Sequence, residues 1–312
     1  MKLRSLFFAA MLFIPISQAN AADKITVLLD WFVNPDHATL IVAQEKGYFK
    51  KHGLEVELIA PADPSDPPKL VAAGKADLAI SYQPQLHLQV SEGLPLTRVG
   101  TLVATPLNSL VVLKDGPIKS LADLKGKKIG YSVSGVEDAM LKAMLEPNGV
   151  SLSDIELINV NFSLSPSLLS GQVDAVIGAF RNFELNQMDI EGYPGRAFFP
   201  EEEGVPAYDE LIVIANNSKV SDPRYKTFML ALEEAVQYLV NHPDESWKLF
   251  IKKHKELDDE LNKRAWADTL PRFALRPAAL DTGRYVRFAK FMLDQGLIKT
   301  TVPVKDYAIA LD

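Results

Sequence analysis

Residues 29–58 read LDWFVNPDHATLIVAQEKGYFKKHGLEVEL, and this stretch decides the fold. It is entered from Ile25 to Leu29, a β-branched and bulky run that reads as a buried strand. The polar and aromatic cluster Asp30, Trp31, Asn34 and His37 follows directly. Leu40, Ile41, Ala43, Tyr48 and Phe49 then read as one helix, ending at Gly53, a residue suited to the left-handed helix terminus. Glu55 to Ala60 reads as a second strand, which closes a βαβ unit. Ligands of open parallel sheets bind beyond the carboxyl ends of the strands. The segment from Asp30 to His37 lies at that edge and is the first candidate for a site.

Outward from this unit the same logic repeats. Pro61 to Pro68 holds four prolines and reads as a rigid loop, followed by a short helix to Gly74 and a strand from Ala76 to Ser81. Tyr82 and Gln83 stand at that strand's carboxyl end. Further on, Ser120 and Asp123 have capping-box spacing. Strand Lys127–Tyr131, loop 132–135, helix Glu137–Leu145 and strand Ile155–Val160 form another βαβ unit. Gly171-Gln-Val-Asp-Ala-Val-Ile repeats the pattern of Gly74-Lys-Ala-Asp-Leu-Ala-Ile. These are one strand in each of two similar α/β domains. From Asp222 the chain is mainly helical, broken by Pro271 and Pro277. Two passages between domains, near 110–116 and 207–215, divide the chain. Residues 22–113 and 212–312 form a discontinuous domain one, and 114–211 form domain two.

Composition narrows the chemistry. A chain of 312 residues with 47% hydrophobic content can bury a large core. It has no cysteine, which excludes disulfides, thiolate metal sites and cysteine nucleophiles. Five scattered histidines lack zinc-site spacing, so no metal is expected. The formal charge of −7 argues against a nucleic-acid partner. Gly130-Tyr-Ser-Val-Ser134 misses the Gly-x-Ser-x-Gly nucleophile pattern in its last position. At the N-terminus, Lys2 and Arg4 precede an apolar stretch too short to span a membrane, and Ala19-Asn20-Ala21 ends it. Residues 1–21 read as a cleavable signal peptide. No cysteine follows to carry a lipid anchor, so the expected location is the periplasm.

The order Asp30-Trp31, Asn34, His37, then Ala43-x-x-x-Gly-Tyr-Phe and Gly53-Leu-x-Val-x-Leu, resembles the thiamine-pyrimidine-precursor binding proteins of ABC importers. Fungal pyrimidine-precursor synthases belong to the same wider family. The resemblance covers residues 24 to about 300. It implies an α/β periplasmic-binding-protein fold of the two-crossing type (type II), a hinge, and a ligand in the interdomain cleft. The implied partners are a small heteroaromatic ligand and the permease and ATPase subunits at the inner membrane, served by a monomeric binding protein without a cofactor.

The resemblance also distributes roles. Gly178-Ala-Phe-Arg-Asn-Phe-Glu184 matches a family pattern whose glutamate pairs with an aminopyrimidine edge, which implicates Phe180, Asn182 and Glu184. A carboxyl group accepts one proton and, when protonated, donates another, as an amidine-like edge requires. The plain alternative for Glu184 is a solvated residue at a helix start. Trp31 is a candidate stacking face, or an ordinary core aromatic. Asp30, Asn34, His37 and Tyr82 are candidate polar contacts, although a lone histidine at a helix start is more often a cap. The turn holding Ser134 and Gly135 offers backbone N–H groups to a polar oxygen. Arg181 stands where the family pattern has an aromatic, which keeps a sulfonate cargo open; riboflavin and nitrate are the other cargoes of related branches. An enzyme is disfavoured, since the fungal synthases carry a cysteine-rich iron-binding motif and this chain is cysteine-free.

Overall fold

The computed structural model describes residues 22–311; the signal peptide expected at 1–21 lies outside them. Ten strands form two five-stranded sheets. The first contains β1 (Asp23–Leu28), β2 (Leu54–Ile59), β3 (Leu78–Ser81), β4 (Leu96–Val103) and β10 (Leu211–Asn216). The second contains β5 (Asn108–Leu113), β6 (Lys128–Tyr131), β7 (Glu156–Asn159), β8 (Ala175–Phe180) and β9 (Gly195–Phe198). Their orders are β2-β1-β3-β10-β4 and β7-β6-β8-β5-β9. The two Gly-x-x-Asp phrases therefore supply β3 and β8, the central strand of each sheet.

The fourth position of each sheet is filled from the other end of a passage. β10 runs antiparallel to β3 and β4, and β5 runs antiparallel to β8 and β9. The chain leaves sheet one between Val103 and Asn108 and returns between Phe198 and Leu211. Leu110 to Leu113, within the passage expected near 110–116, is instead part of β5 in sheet two. The outgoing passage thus falls a few residues earlier than the sequence suggested. Its apolar run could not report which sheet would pair with it.

Strand patterns follow burial. β3 and β4 are buried along their whole length, whereas edge strand β2 alternates buried and exposed residues. β3 is central, and β4, the opposite edge, is covered by the C-terminal part through bridges Arg98–Ala308 and Val103–Phe273, whereas β2 is an open edge. The segment after β1 is broken: α1 (Ala38–Glu45) stops, Gly47 adopts φ 73°, and α2 (Tyr48–Lys51) restarts before Gly53 at φ 77°. The single helix expected to run to Gly53 is therefore two, because Gly47 already takes the left-handed conformation that ends a helix.

Further helices are α3 (Pro67–Ala72), α4 (Gln83–Ser91), α5 (Val136–Leu145), α6 (Leu164–Leu169) and α7 (Glu184–Ile190). The C-terminal part supplies α8 (Pro223–Asn241), α9 (Pro243–Lys253), α10 (Glu260–Thr269) and α11 (Thr282–Asp294). α8 buries Tyr225, Phe228, Met229, Leu232, Val236 and Leu239 at helical spacing. It packs on α1, while α10 reaches α7 and the loop after β1. Arg98 of β4 is fully buried and donates to the carbonyls of Pro277, Ala278 and Ile309 (2.9–3.3 Å). That arrangement pins the C-terminal tail to sheet one.

Candidate functional site

The carboxyl ends of β1, β3, β6 and β8 converge on a cavity between the sheets, enclosing about 630 Å³ of space between atoms, part of it open to solvent. Its walls are aromatic and acidic. Trp31, Tyr82, Phe180, Phe183 and Tyr208 supply rings; Asp30, Asp36, Glu137, Glu184 and Glu210 supply carboxyls. Among the described residues, no lysine, arginine or histidine lines it.

The loop after β1 builds one wall through a tight local net. Asn34 caps the turn Pro35–His37: its Oδ1 accepts from the Asp36 N–H (2.8 Å) and its Nδ2 donates to the Phe32 carbonyl (3.2 Å). The Asn34 N–H donates to His37 Nδ1 (3.3 Å), so the His37 proton sits on Nε2 and donates to Asp30 Oδ1 (2.9 Å). The Tyr82 hydroxyl donates to the other Asp30 oxygen (2.9 Å). Burial and the adjacent Asp30 carboxylate push the Tyr82 hydroxyl well above its ordinary value, so it stays a donor. Trp31 sits at the mouth, edge-on to Phe162 of the other lobe at 4.5 Å between ring centroids.

The opposite wall and the floor are built by glutamates held by backbone. Glu137, in the first turn of α5, accepts the Ser132 and Val133 N–H groups on one oxygen (2.6 and 3.1 Å). Its other oxygen lies over Gly178, where a Cβ would come within 2.1 Å of it. Gly178 also has φ 94°, so a side chain there meets both a clash and a strained backbone. Glu184, first residue of α7, accepts the Phe180 N–H (2.6 Å). Glu210, just before β10, accepts the Asn108 N–H (2.9 Å) and the Leu107 N–H on one oxygen. Burial raises Glu137 to about 8, and Glu184 and Glu210 to about 7; burial also raises Asp36 to about 6.

The cavity brings together six of the expected residues: Asp30, Trp31, Asn34, Tyr82, Phe180 and Glu184. The other four do not line it. His37 is fully buried behind Asp30 and orients it. Asn182 turns away to donate to Asp36 Oδ1 (2.6 Å) and Thr269 Oγ1 (2.7 Å), a buried clasp between the lobes. Ser134 and Gly135 lie aside, because the turn's inward N–H groups are already taken by Glu137. Arg181 also stays outside. It donates to Glu201 Oε2 (3.0 Å) and to the Leu107 and Asn108 carbonyls, and stacks on Phe199 at 4.0 Å.

Glu137 and Glu210 were not singled out by the sequence. Glu137 offered a faint signal, a glutamate in the first turn of a helix that follows a strand. Glu210 offered none, since it precedes an antiparallel strand.

Two sheets joined by two passages, with a cavity between them, define the periplasmic-binding-protein fold. The alkanesulfonate-binding protein SsuA of Xanthomonas axonopodis pv. citri superposes with a TM-score of 0.71 at 18% identity, over 91% of this chain and 97% of that one. The NMT1/THI5-like family model matches residues 34–246, and the chain belongs to that family. A putative thiamine biosynthesis protein of Haemophilus influenzae is 60% identical over 94% of this chain and 93% of its own length. The formylaminopyrimidine-binding protein of Halalkalibacterium halodurans is 35% identical over 84% and 82%. A 4-amino-5-hydroxymethyl-2-methylpyrimidine phosphate synthase of Saccharomyces cerevisiae is 26% identical over 79% and 76%.

Proposed function

We propose that this protein is the periplasmic substrate-binding component of an ABC importer. Its cargo is a thiamine pyrimidine precursor of the formylaminopyrimidine or hydroxymethylpyrimidine type. The observation that carries this is Glu184. Its carboxyl is buried among aromatic rings, fixed through one oxygen by the Phe180 N–H, and titrates near neutrality. Such a group accepts from an exocyclic amine and shares one proton with a ring nitrogen, carried by either partner. Trp31, Phe180 and Tyr82 supply apolar faces to a flat ring. The relative named for formylaminopyrimidine supports the same cargo class.

The lobes close about the passages at 104–107 and 199–210, and ligand selects the closed state because both walls contact it only there. The closed monomer then docks on the permease and its ATPase. An anionic cargo, sulfonate or nitrate, is disfavoured by a cavity of five acids without a lysine, arginine or histidine, and Arg181 is committed to the hinge. The synthase reading has the family on its side but finds no histidine on the cavity wall.

Calorimetry with formylaminopyrimidine tests the proposal. Glu184→Ala is expected to weaken binding by about ten- to a hundredfold, through loss of the hydrogen bonds to the amine and the ring nitrogen. Unchanged affinity sinks the assignment. Incubation with iron and pyridoxal phosphate is expected to yield no pyrimidine, and product formation would revive the enzyme.

A further inference from the structure

The cavity holds more recognition chemistry than one aminopyrimidine edge uses. Glu184 accounts for that edge. At the hinge floor stand Glu137 and Glu210, 5% and 2% exposed, each pinned through one oxygen by two backbone N–H groups. Among the described residues, both hydrogen bonds to Glu137 fall on that one oxygen, and the second oxygen stands over Gly178. Above Glu210 the Tyr208 hydroxyl, 1% exposed, lies toward the carboxyl without meeting hydrogen-bond geometry. A buried polar atom left without a partner, as the Tyr208 hydroxyl is, costs roughly 1–3 kcal/mol, so a site that retains it is suited to a ligand that supplies the missing partner. Asn108 ties the floor together, donating its N–H to Glu210 and accepting the Gly178 N–H on Oδ1 (3.1 Å). Gly178 in turn clears the space in which the second oxygen of Glu137 stands.

Resting on the aminopyrimidine reading, we infer that this floor is a second recognition subsite. It reads an N–H-bearing side arm of the ring, with Glu137 accepting the N–H and Glu210 and Tyr208 completing the pocket. Amine and amide arms share that N–H. An amide arm also carries a carbonyl, for which the Tyr208 hydroxyl is the available donor. The raised titration of Glu137 and Glu210 follows from their burial, which outweighs the nearby Arg181 at Glu210.

The test compares three 4-amino-2-methylpyrimidines that differ only in the 5-substituent: methyl, aminomethyl and formylaminomethyl. With wild-type protein, both N–H arms are expected to bind at least about tenfold tighter than methyl. Glu137→Gln presents an amide N–H to the arm's N–H while its oxygen still serves Ser132 and Val133. It should reduce that preference to within about threefold. Tyr208→Phe should weaken the formylaminomethyl ligand alone. Equal wild-type affinity for all three overturns the subsite, as does a preference that survives Glu137→Gln. If none of the three binds, the aminopyrimidine reading itself falls, a result distinct from either. The wild-type series needs no variant to fold.

Discussion

The two walls of the cavity treat their polar groups differently. On the β1 side, both oxygens of Asp30 have protein partners, both His37 nitrogens are engaged, and Asn34 spends its side chain on its own turn. On the far side, Glu137 and Glu184 are fixed by backbone through one oxygen. The first wall is a finished scaffold that holds Trp31 and Tyr82 in place. The second leaves carboxyl oxygens facing the cavity, and the proposed ligand would gain its contacts there.

The largest way to break this contrast is Gly178→Ala. The added methyl collides with the Glu137 carboxyl and forces φ 94° on an alanine. We expect destabilisation of about 1–3 kcal/mol, seen as a lower Tm, with ligand affinity falling more than from Glu137→Gln. Binding unchanged by calorimetry would mean that the Glu137 oxygen has no part in the site.

Acidity sharpens the comparison next. Glu137, Glu184, Glu210 and Asp36 all titrate higher in the fold than in an unfolded chain. Glu137 faces Asp138 and Glu210, Glu184 faces Asp36, and Glu210 faces Arg181 and Tyr208. Between about pH 4.5 and 8 the native state therefore holds more protons than the unfolded one, and stability falls as pH rises. The ligand-free protein should melt several degrees lower at pH 8 than at pH 5, and Glu137→Gln should flatten that slope. A melting temperature that climbs from pH 5 to 8 contradicts this picture of the second wall.

On the scaffold wall, His37→Ala removes one of the two partners of the buried Asp30 carboxylate. A loss of about 1–3 kcal/mol in stability is expected, with a smaller effect on affinity than Glu184→Ala. Chemical denaturation and calorimetry on the same preparation separate the two. The smallest effect belongs to Arg181→Lys: its guanidinium contacts the hinge and Phe199, not the cavity. Ligand affinity should change by less than about threefold. A larger loss would place this charge in the site after all.

The βαβ periodicity, the glycine stops and the repeated Gly-x-x-Asp phrase carry the two-sheet α/β architecture in the sequence itself, because those signals are local. Nearest-neighbour patterning also placed Asp30, Trp31, Asn34, Tyr82, Phe180 and Glu184 at strand ends, and those ends converge. What local pattern could not carry was direction and partnership. A histidine beside a site and one behind it have the same neighbours in sequence; only packing turned His37 toward Asp30. Likewise Arg181 is drawn to Glu201 and two carbonyls of the outgoing passage, contacts made by chain 20 to 74 residues away. Glu210 and Arg98 lie in or next to strands of the wrong sequence neighbourhood for a site or a tail anchor, and sheet pairing alone gives them those roles. Sequence determined which residues stand at the cavity's edge. Tertiary structure decided which atoms remain unpaired inside it, because pairing is settled by long-range contacts that no short window of sequence contains.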